Sequence, residues 1–200
     1  MTMRKSLVVL IISLTALKLL LVSALAAPPL ETIQTQVNRA LEVLRDPALK
    51  AESARETKEK KVWTIIDGVF DYTELSKRTL AQHRKQFTPD QQEEFTRLFG
   101  KLLGSIYMDR IMAYKDEKVV FGKVTNLSDK TAEVQSEVLR SSKSIPIHYR
   151  MILENGEWRV YDVVIEGVSL VQNYRSQFRE ILTNKSPENL LKMLREKVRK

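Results

Sequence analysis

Few residues in this sequence combine the side-chain types and the spacing that catalysis or metal binding requires. The two histidines, His83 and His148, have no second histidine and no carboxylate cluster at metal-ligand spacing, so both are interpreted as surface or satisfied side chains. The sequence has no cysteine, which excludes thiolate nucleophiles, zinc–thiolate sites and iron–sulfur ligation. It also lacks glycine-rich phosphate loops and the Gly-x-Ser-x-Gly nucleophile turn. We therefore predict no metal, no cofactor and no catalytic residue.

Asp162 is the one carboxylate embedded in an apolar strand pattern, between Tyr161 and Val163. Burial raises the pKa of a carboxyl group, and a general base can be made in this way. The alternative is a structural partner for Arg150 or Arg175, or for a backbone donor at the edge of a sheet. Because the sequence places no second acid or base beside Asp162, we favour the structural role and keep a periplasmic enzyme that uses Asp162 as the alternative.

The first 26 residues have the pattern of a secretory signal peptide. Arg4 and Lys5 precede two apolar runs that flank Lys18, and the segment ends in Ala24-Leu25-Ala26, a small-x-small cleavage site. A charge at Lys18 disfavours a retained membrane anchor, which is the alternative interpretation. We predict cleavage after Ala26 and a mature protein in the periplasm.

The net charge of the chain is +8, and removal of the predicted signal peptide, with its three basic residues and no acid, leaves +5. Few aromatic residues lie next to the basic residues in the sequence, and an exported protein does not meet the nucleic acid of the cytoplasm. We therefore do not predict nucleic-acid binding. Two interpretations of the positive charge stay open. It favours anionic membrane surfaces or acidic docking faces, or it serves solubility alone.

Apolar residues at intervals of three and four predict helices on both sides of a central region. The predicted helices cover residues 30–45, 51–69 and 73–80, a long helix that begins at Thr88, and two helices that follow Ser169 and Ser186. Thr88-Pro89-x-Gln91 has the spacing of a capping box with proline in the first turn. Within this long helix, Gly100 and Gly104 are interpreted as allowing another backbone to approach closely.

Between residues 119 and 166 the apolar period changes from 3.6 to 2, which predicts strands. Four strands are predicted, at 119–127, 131–140, 144–153 and 157–166. Asn155-Gly156 is a hairpin turn signal. In the fourth strand Trp158 falls on the opposite side from Val163, which requires a bulge or burial of both faces. The predicted fold class is α+β, with an antiparallel sheet of four strands or slightly more packed with several helices.

Several short segments combine aromatic, acidic and glycine residues in a specific order. They are Phe70-Asp71-Tyr72, Thr88-Pro89-x-Gln91, Ile147-His148-Tyr149-Arg150, and the run from Trp158 through Phe178 that contains Tyr161-Asp162-Val163, Glu166-Gly167-Val168-Ser169 and Asn173-Tyr174-Arg175. Together they resemble the MlaC family, also called the toluene-tolerance family. The likeness extends from Leu30 to about Leu194 and departs at Leu80-Ala81, where the family often has Leu-Gly.

The resemblance implies a periplasmic phospholipid carrier of the Mla lipid-asymmetry pathway. It implies a sheet of the nuclear-transport-factor-2-like type, with acyl chains held between sheet and helices and the head group near solvent. It also implies two docking partners, an outer-membrane lipoprotein–porin complex and an inner-membrane ABC transporter with a lipid-binding ring. A hopanoid-type lipid is the alternative cargo, because a relative of the family occurs with hopanoid synthesis genes. A structural adaptor with a filled core is a further alternative.

We predict a single domain over residues 27–200, with a helical part over about 28–116 and a sheet-plus-helix part over about 117–200. The bound lipid would contact apolar residues of both parts. Ile147, Tyr149 and Met151 alternate onto one sheet face, and we expect the helix stripe of Phe99, Leu103 and Ile106 to pack against that face. The predicted lining residues are Phe70, Phe99, Leu103, Ile106, Tyr107, Val134, Val138, Ile147, Tyr149, Met151, Val163, Ile165, Val168, Tyr174 and Phe178.

We predict that the mature protein begins at Ala27, because signal peptidase requires small residues at the positions of Ala24 and Ala26. Intact-mass measurement of protein from a periplasmic extract checks this start. A protein that retains its first 26 residues would contradict both the export route and a diffusible carrier.

Overall fold

Six α-helices and five β-strands are present in a computed structural model that describes residues 27–115, 117–140 and 143–199. The helices are α1 (Pro29–Arg45), α2 (Arg55–Val69), α3 (Tyr72–Leu80), α4 (Pro89–Met112), α5 (Leu170–Asn184) and α6 (Pro187–Lys197). The strands are β1 (Lys118–Ser128), β2 (Thr131–Leu139), β3 (Ser144–Glu154), β4 (Glu157–Ile165) and β5 (Val168–Ser169). The α+β class predicted from the sequence is confirmed, and the predicted signal peptide lies outside the described residues.

The strands form one antiparallel sheet in the order β1-β2-β3-β4-β5. The four predicted strands match to within one residue at each end. Asn155 and Gly156 both have positive φ, 51° and 81°, as the predicted two-residue hairpin turn requires. The two-residue strand β5 was not predicted, because its only signal is the short turn at Glu166 and Gly167.

A bulge in β4 sets which side chains share a sheet face. Arg150 pairs with Asp162 and Met151 pairs with Val160, so Tyr161 is the extra residue. The bulge returns Val160 to the same face as Val163, whereas strict alternation would separate them. From the sequence, either a bulge or burial of both faces was expected for β4. The strand contains the bulge.

The sheet therefore has two chemically different faces. The apolar sheet face consists of Phe121, Val124, Ala132, Val134, Val138, Ile147, Tyr149, Met151, Val160, Val163 and Ile165. The polar sheet face consists of Glu133, His148, Arg150 and Asp162. Helix α1 crosses the apolar sheet face, and its side chain Ile33 is only 2% exposed there.

A second apolar cluster, the helical core, lies among α3, α4, α5 and α6. Its large side chains include Leu75, Phe95, Phe99, Leu103, Tyr174, Phe178, Leu191 and Leu194. Phe99 contacts Tyr174 and Phe178, with ring centroids 5.0 and 5.4 Å apart. Helix α6 is fastened to α4 by Arg195, whose Nε and Nη2 donate to the Glu94 carboxylate at 2.7 and 2.8 Å.

Gly100 and Gly104 of α4 admit aromatic rings and not a second backbone. A Cβ atom at Gly100 would lie 3.2 Å from the Tyr72 ring, and one at Gly104 would lie 2.6 Å from the Trp63 ring. The interpretation of these glycines as a site of backbone approach is therefore wrong. The close neighbours are side chains because α2 and α3 present large aromatic residues to this side of α4.

The junction between α3 and the 3₁₀ turn Ala81–Gln86 holds Ala81 in a conformation that favours glycine. Its φ is 48° and its ψ is −125°. A residue with a side chain is strained in this region, at a cost of about 1–3 kcal/mol. This is the position at which the chain departs from the Leu-Gly of the resembling family.

We predict that Ala81→Gly raises the free energy of unfolding by about 1 kcal/mol, because the strain removed exceeds the added entropy of the unfolded chain, about 0.4–1 kcal/mol. Urea denaturation of parent and variant measures the difference. Ala113→Gly is the matched control, since Ala113 has an ordinary φ of −75° and should lose stability. A loss at both positions would show that Ala81 is not strained.

Candidate binding site on the apolar sheet face

The apolar sheet face is sealed at its centre and half-buried toward its ends. Val134, Met151 and Val160 have no exposed surface. Toward the end of the sheet where β2 stops and β3 starts, Val138 and Ile147 become half-buried. Leu153 and Trp158 at the opposite end are half-buried as well, so this face excludes water at its centre and is partly accessible at its ends, a surface suited to an apolar ligand.

Helix α1 covers this face unevenly. Leu30 and Val37 pack on the same cluster as Ile33 but stay half-buried. A groove of about 360 Å³ follows the first turns of α1 and is lined by Pro28, Leu30, Glu31, Gln34, Thr35 and Asn38. All of these lining residues belong to α1 or to Pro28 before it, and Leu30 is the one among them that also packs on the apolar sheet face.

The two ends of α1 are held in different ways. The Lys58 ammonium donates to the carbonyl oxygen of Leu44 at 3.0 Å, and Arg45 donates to the hydroxyl of Tyr114. At the start of α1, Pro28 provides no side-chain cap. Hydrogen bonds therefore hold the C-terminal end of α1, whereas Leu30, Ile33 and Val37 hold its first half by apolar packing on the sheet.

The predicted lining residues divide between the two apolar clusters. Val134, Ile147, Tyr149, Met151, Val163 and Ile165 lie together on the apolar sheet face, with Val138 at its half-buried end. Phe99, Leu103, Tyr174 and Phe178 belong to the helical core. Ile106 and Val168 are 39% and 56% exposed, so neither lies in an enclosed part of the molecule.

The expected packing of the α4 stripe against the sheet is therefore wrong for Phe99 and Leu103. On that side, α4 meets α3 and α6, and Phe99 contacts two aromatic rings of α5. The C-terminal helices offer this stripe a large aromatic surface, and α1 occupies the sheet face in its place. Sequence periodicity shows that a stripe is buried but does not name its partner.

Phe70 and Tyr107 contact both apolar clusters and so mark the boundary between them. The position of Phe70 is fixed by the backbone. Phe70 forms a parallel bridge with Val160, and the Asp71 N–H donates to the carbonyl oxygen of Val160 at 2.8 Å. The Asp71 side chain then caps α3 by accepting from the N–H of Glu74 at 2.8 Å. The Phe70-Asp71-Tyr72 segment thus joins the helices to the sheet.

Three tyrosines place phenol groups against these apolar surfaces. Burial raises the pKa of Tyr149 to about 12, and the neighbouring Ser136 hydroxyl opposes this shift. Burial also raises the pKa values of Tyr107 and Tyr174, with repulsion from Tyr107 adding to the shift at Tyr174. All three phenols stay protonated at neutral pH and can donate hydrogen bonds.

Asp162 is 2% exposed and lies on the polar sheet face, where its carboxylate accepts from three donors. It accepts from the Ser169 hydroxyl at 2.6 Å, the Val171 N–H at 3.0 Å and Arg150 Nη1 at 3.2 Å. These partners are an arginine and a backbone donor at the sheet edge, as the structural interpretation predicts. Arg175 is not among them, since it donates to the carbonyl oxygen of Arg78.

The two histidines lie apart from the apolar sheet face. His148 Nδ1 is 3.5 Å from the Glu133 carboxylate on the polar face, and His83 lies in the 3₁₀ turn after α3. Within the described ranges no group of three or more potential metal ligands comes together. None of the helices described is both long and apolar enough to cross a membrane.

The covering role of α1 was not predicted from the sequence. A helix over residues 30–45 was predicted, but its side chains Leu30, Ile33 and Val37 were not assigned to the binding face. Phe121 and Val124 of β1 were also left out of the lining. The available signal was their spacing, which indicates burial, but the crossing of α1 over β1 and β2 has no local signature.

An antiparallel sheet with one apolar face under helices defines an α+β protein with a surface suited to an apolar ligand. Residues 34–196 match the MlaC protein family, and the chain belongs to that family. The resemblance seen in the sequence is thereby confirmed.

Two curated relatives and one solved structure are similar to this chain. The toluene tolerance protein ttg2D of Pseudomonas putida is 24% identical over 120 residues, and the intermembrane phospholipid transport system binding protein MlaC of Haemophilus influenzae is 24% identical over 119 residues. These matches cover 59% and 57% of this chain and 56% of each relative, so the aligned region spans about half the length of the curated relatives.

The solved structure is the phospholipid-binding protein from Ralstonia solanacearum in complex with a phospholipid. Its TM-score is 0.75 and its identity is 24%, with 86% of this chain and 97% of that chain covered. At this identity the likeness shows that the two chains share a fold.

We predict that Asp162→Asn lowers the free energy of unfolding by about 2–4 kcal/mol, because an amide cannot accept from all three donors and removes the more deeply buried of the two carboxylates, Asp162 and Glu133, that neutralise Arg150. Urea denaturation measures the loss. Glu157→Gln is the control, since its pair with Arg159 is exposed and should contribute no more than about 1 kcal/mol. An Asp162→Asn protein with parental stability would refute the structural role and revive the enzyme hypothesis.

Proposed function

We propose that this protein is a periplasmic carrier that holds the acyl chains of a phospholipid on the apolar sheet face. The observation that carries the proposal is the burial gradient on that face, from the sealed Met151 to the half-buried Ile147, under the covering helix α1. The phospholipid named for the Ralstonia protein of the same fold supports this choice of ligand.

Transfer energetics favour a carrier whose surface resembles hydrocarbon. Two chains of roughly 16 carbons bury about 30 methylenes, worth on the order of 25 kcal/mol relative to water. Relative to a membrane the gain nearly vanishes, because the chains are already out of water. Lipid can therefore enter and leave at a docked complex, and the apolar sheet face has only to protect the chains during diffusion.

The proposed carrier moves lipid between complexes of the two membranes and so maintains the lipid asymmetry of the outer membrane. The expected partners are an inner-membrane ABC transporter with a lipid-binding ring and an outer-membrane lipoprotein–porin complex. The Haemophilus relative is named as the binding protein of an intermembrane phospholipid transport system, which supports this assignment. The predicted signal peptide supports the periplasmic location.

A catalytic role for Asp162 is the competing hypothesis. A groove of about 260 Å³ on the polar sheet face includes Asp162, Arg78, Arg150 and Arg175 in its lining. A general base needs a free lone pair directed at its substrate. Three of the roughly four acceptor positions of the Asp162 carboxylate are occupied by donors from the protein itself, which favours a structural role for this residue over a catalytic one.

We expect phospholipid to be recovered by solvent extraction and mass spectrometry of the purified protein. We further predict that Ile147→Trp lowers the amount bound to a minor fraction of the parental amount, because the indole occupies space at the half-buried end of the apolar sheet face. The melting temperature should change little, whereas the same substitution in a filled core costs about 1–3 kcal/mol.

Ile152→Trp is the matched control, because Ile152 is half-buried on the opposite side of the same strand. It should retain the parental amount of lipid. Equal lipid content in both variants would show that the lipid does not bind at the apolar sheet face. A parent protein without lipid, and without uptake from phospholipid vesicles, would end the carrier proposal.

A further inference from the structure

Three arginines line the groove of about 260 Å³ on the polar sheet face, which we call the guanidinium groove. Each comes from a different element, Arg78 from α3, Arg150 from β3 and Arg175 from α5. Among the described residues that line the groove, Asp162 is the one carboxylate, and it is 2% exposed and paired with Arg150. The surface of the groove is therefore mainly positive.

Contacts within the protein hold Arg78 and Arg175 in place. Arg78 Nε donates to the Glu74 carboxylate at 2.8 Å, and its guanidinium carbon lies 3.9 Å from the centre of the Tyr161 ring. Arg175 Nε and Nη2 donate to the carbonyl oxygen of Arg78, in the last turn of α3, at 2.9 and 2.7 Å. Both guanidiniums thus have defined positions beside the groove.

Each of the three guanidiniums keeps nitrogen atoms that no described acceptor uses. They are both Nη atoms of Arg78, Nη2 of Arg150 and Nη1 of Arg175, because the hydrogen bonds of these side chains within the described ranges use their other nitrogens. An arginine side chain carries five N–H donors. The groove therefore offers unused charged donors from three elements.

Neighbouring carboxylates only partly balance the positive charge of the groove. Arg150 has two carboxylate partners, but Arg78 shares Glu74 with Lys77, and Arg175 forms no ion pair with a described residue. The side chains of Arg78 and Arg150 are 35% and 29% exposed, so their charges are screened less than those on an open surface. This environment favours an anionic ligand.

The guanidiniums, and not the helix backbone, supply the donors of the groove. The first turn of α5 borders it, but the Val171 and Gln172 N–H groups already donate to Asp162 and Ser169. One guanidinium fork is enough for a carboxylate, whereas a phosphate has three oxygens that several guanidiniums can share. Three arginines from three elements therefore favour a phosphate group.

We propose that the guanidinium groove binds the phosphate group of an anionic ligand, at a site separate from the proposed lipid site. The groove and the apolar sheet face lie on opposite sides of the sheet, so this phosphate is not that of a lipid held on the apolar face. Its source is either a soluble phosphomonoester or the head group of an anionic membrane lipid. Leu127, 49% exposed in the lining, offers an apolar contact to the rest of the ligand.

Gln172→Glu tests the groove with little risk to the fold. Gln172 is exposed in the lining, and its side chain has no hydrogen-bond partner among the described residues. A glutamate here lies three residues after the Ser169 cap, the spacing of a capping box, so the melting temperature should be kept or slightly raised. The added carboxylate would repel a phosphate and occupy the free donors.

Two probes at low ionic strength distinguish the sources. Calorimetric titration with glycerol 3-phosphate measures binding of a soluble phosphomonoester. Flotation with phosphatidylglycerol vesicles, compared with phosphatidylcholine vesicles, measures binding of a membrane head group. For the probe that binds, we expect Gln172→Glu and Arg78→Gln each to raise the Kd about tenfold or more, as loss of a charge-assisted hydrogen bond would give.

Gln177→Glu is the matched control, because it makes the same change of charge at an exposed position of α5 outside the groove. It should keep the parental Kd. Binding of neither probe by the parent, an unchanged Kd in Gln172→Glu, or an equal loss in Gln172→Glu and Gln177→Glu would each overturn the inference.

The phospholipid extracted from the purified proteins separates this inference from the carrier function. Gln172→Glu should retain the parental amount, because the apolar sheet face is unchanged. A lower amount would show that the groove is part of the lipid site and would overturn the separate phosphate site. A parent protein that binds glycerol 3-phosphate but neither contains nor takes up phospholipid would overturn the carrier proposal alone.

Discussion

The arrangement of helices around the sheet depends on one buried carboxylate. Asp162 receives the Ser169 hydroxyl and the Val171 N–H, so it fixes the point at which the chain leaves the sheet and enters α5. Ser169 in turn caps α5 by accepting from the N–H of Gln172 at 3.0 Å. Arg150 supplies the counter-charge that makes burial of the carboxylate tolerable. A hydrophobic residue at this position would leave the start of α5 without its partner.

The bulge at Tyr161 connects this polar network to the binding face. Because one extra residue separates Val160 from Asp162, the acid points to the polar sheet face while Val160 and Val163 both point to the apolar one. The same strand therefore holds the C-terminal helices on one side and presents an apolar surface on the other. The backbone bond from Asp71 to Val160 attaches α3 beside the bulge. A few residues of β4, from Val160 to Val163, thus both hold the helices in place and form part of the binding surface.

The sequence predicted much of the secondary structure and about half of the candidate site. Strand boundaries, the capping box at Thr88 and the turn at Asn155-Gly156 depend on neighbouring residues, and local rules recovered them. On the binding face, Ile147, Tyr149 and Met151 were placed together because strand alternation is a short-range rule. Phe99 and Leu103 were expected to pack against the sheet but lie in the helical core. Periodicity shows which side of a helix is buried but not which element covers that side.

The sequence by itself determined the fold class, the family and the absence of thiol chemistry, because these depend on composition, spacing and motif. Tertiary structure decided that α1 covers the apolar sheet face and that α5 and α6 cover the α4 stripe. It also decided that Asp162 is bound by three donors. Apolar attraction is nondirectional, so it drives burial without choosing a partner. Hydrogen bonds require particular atoms at particular distances, and only the folded chain brings those atoms together.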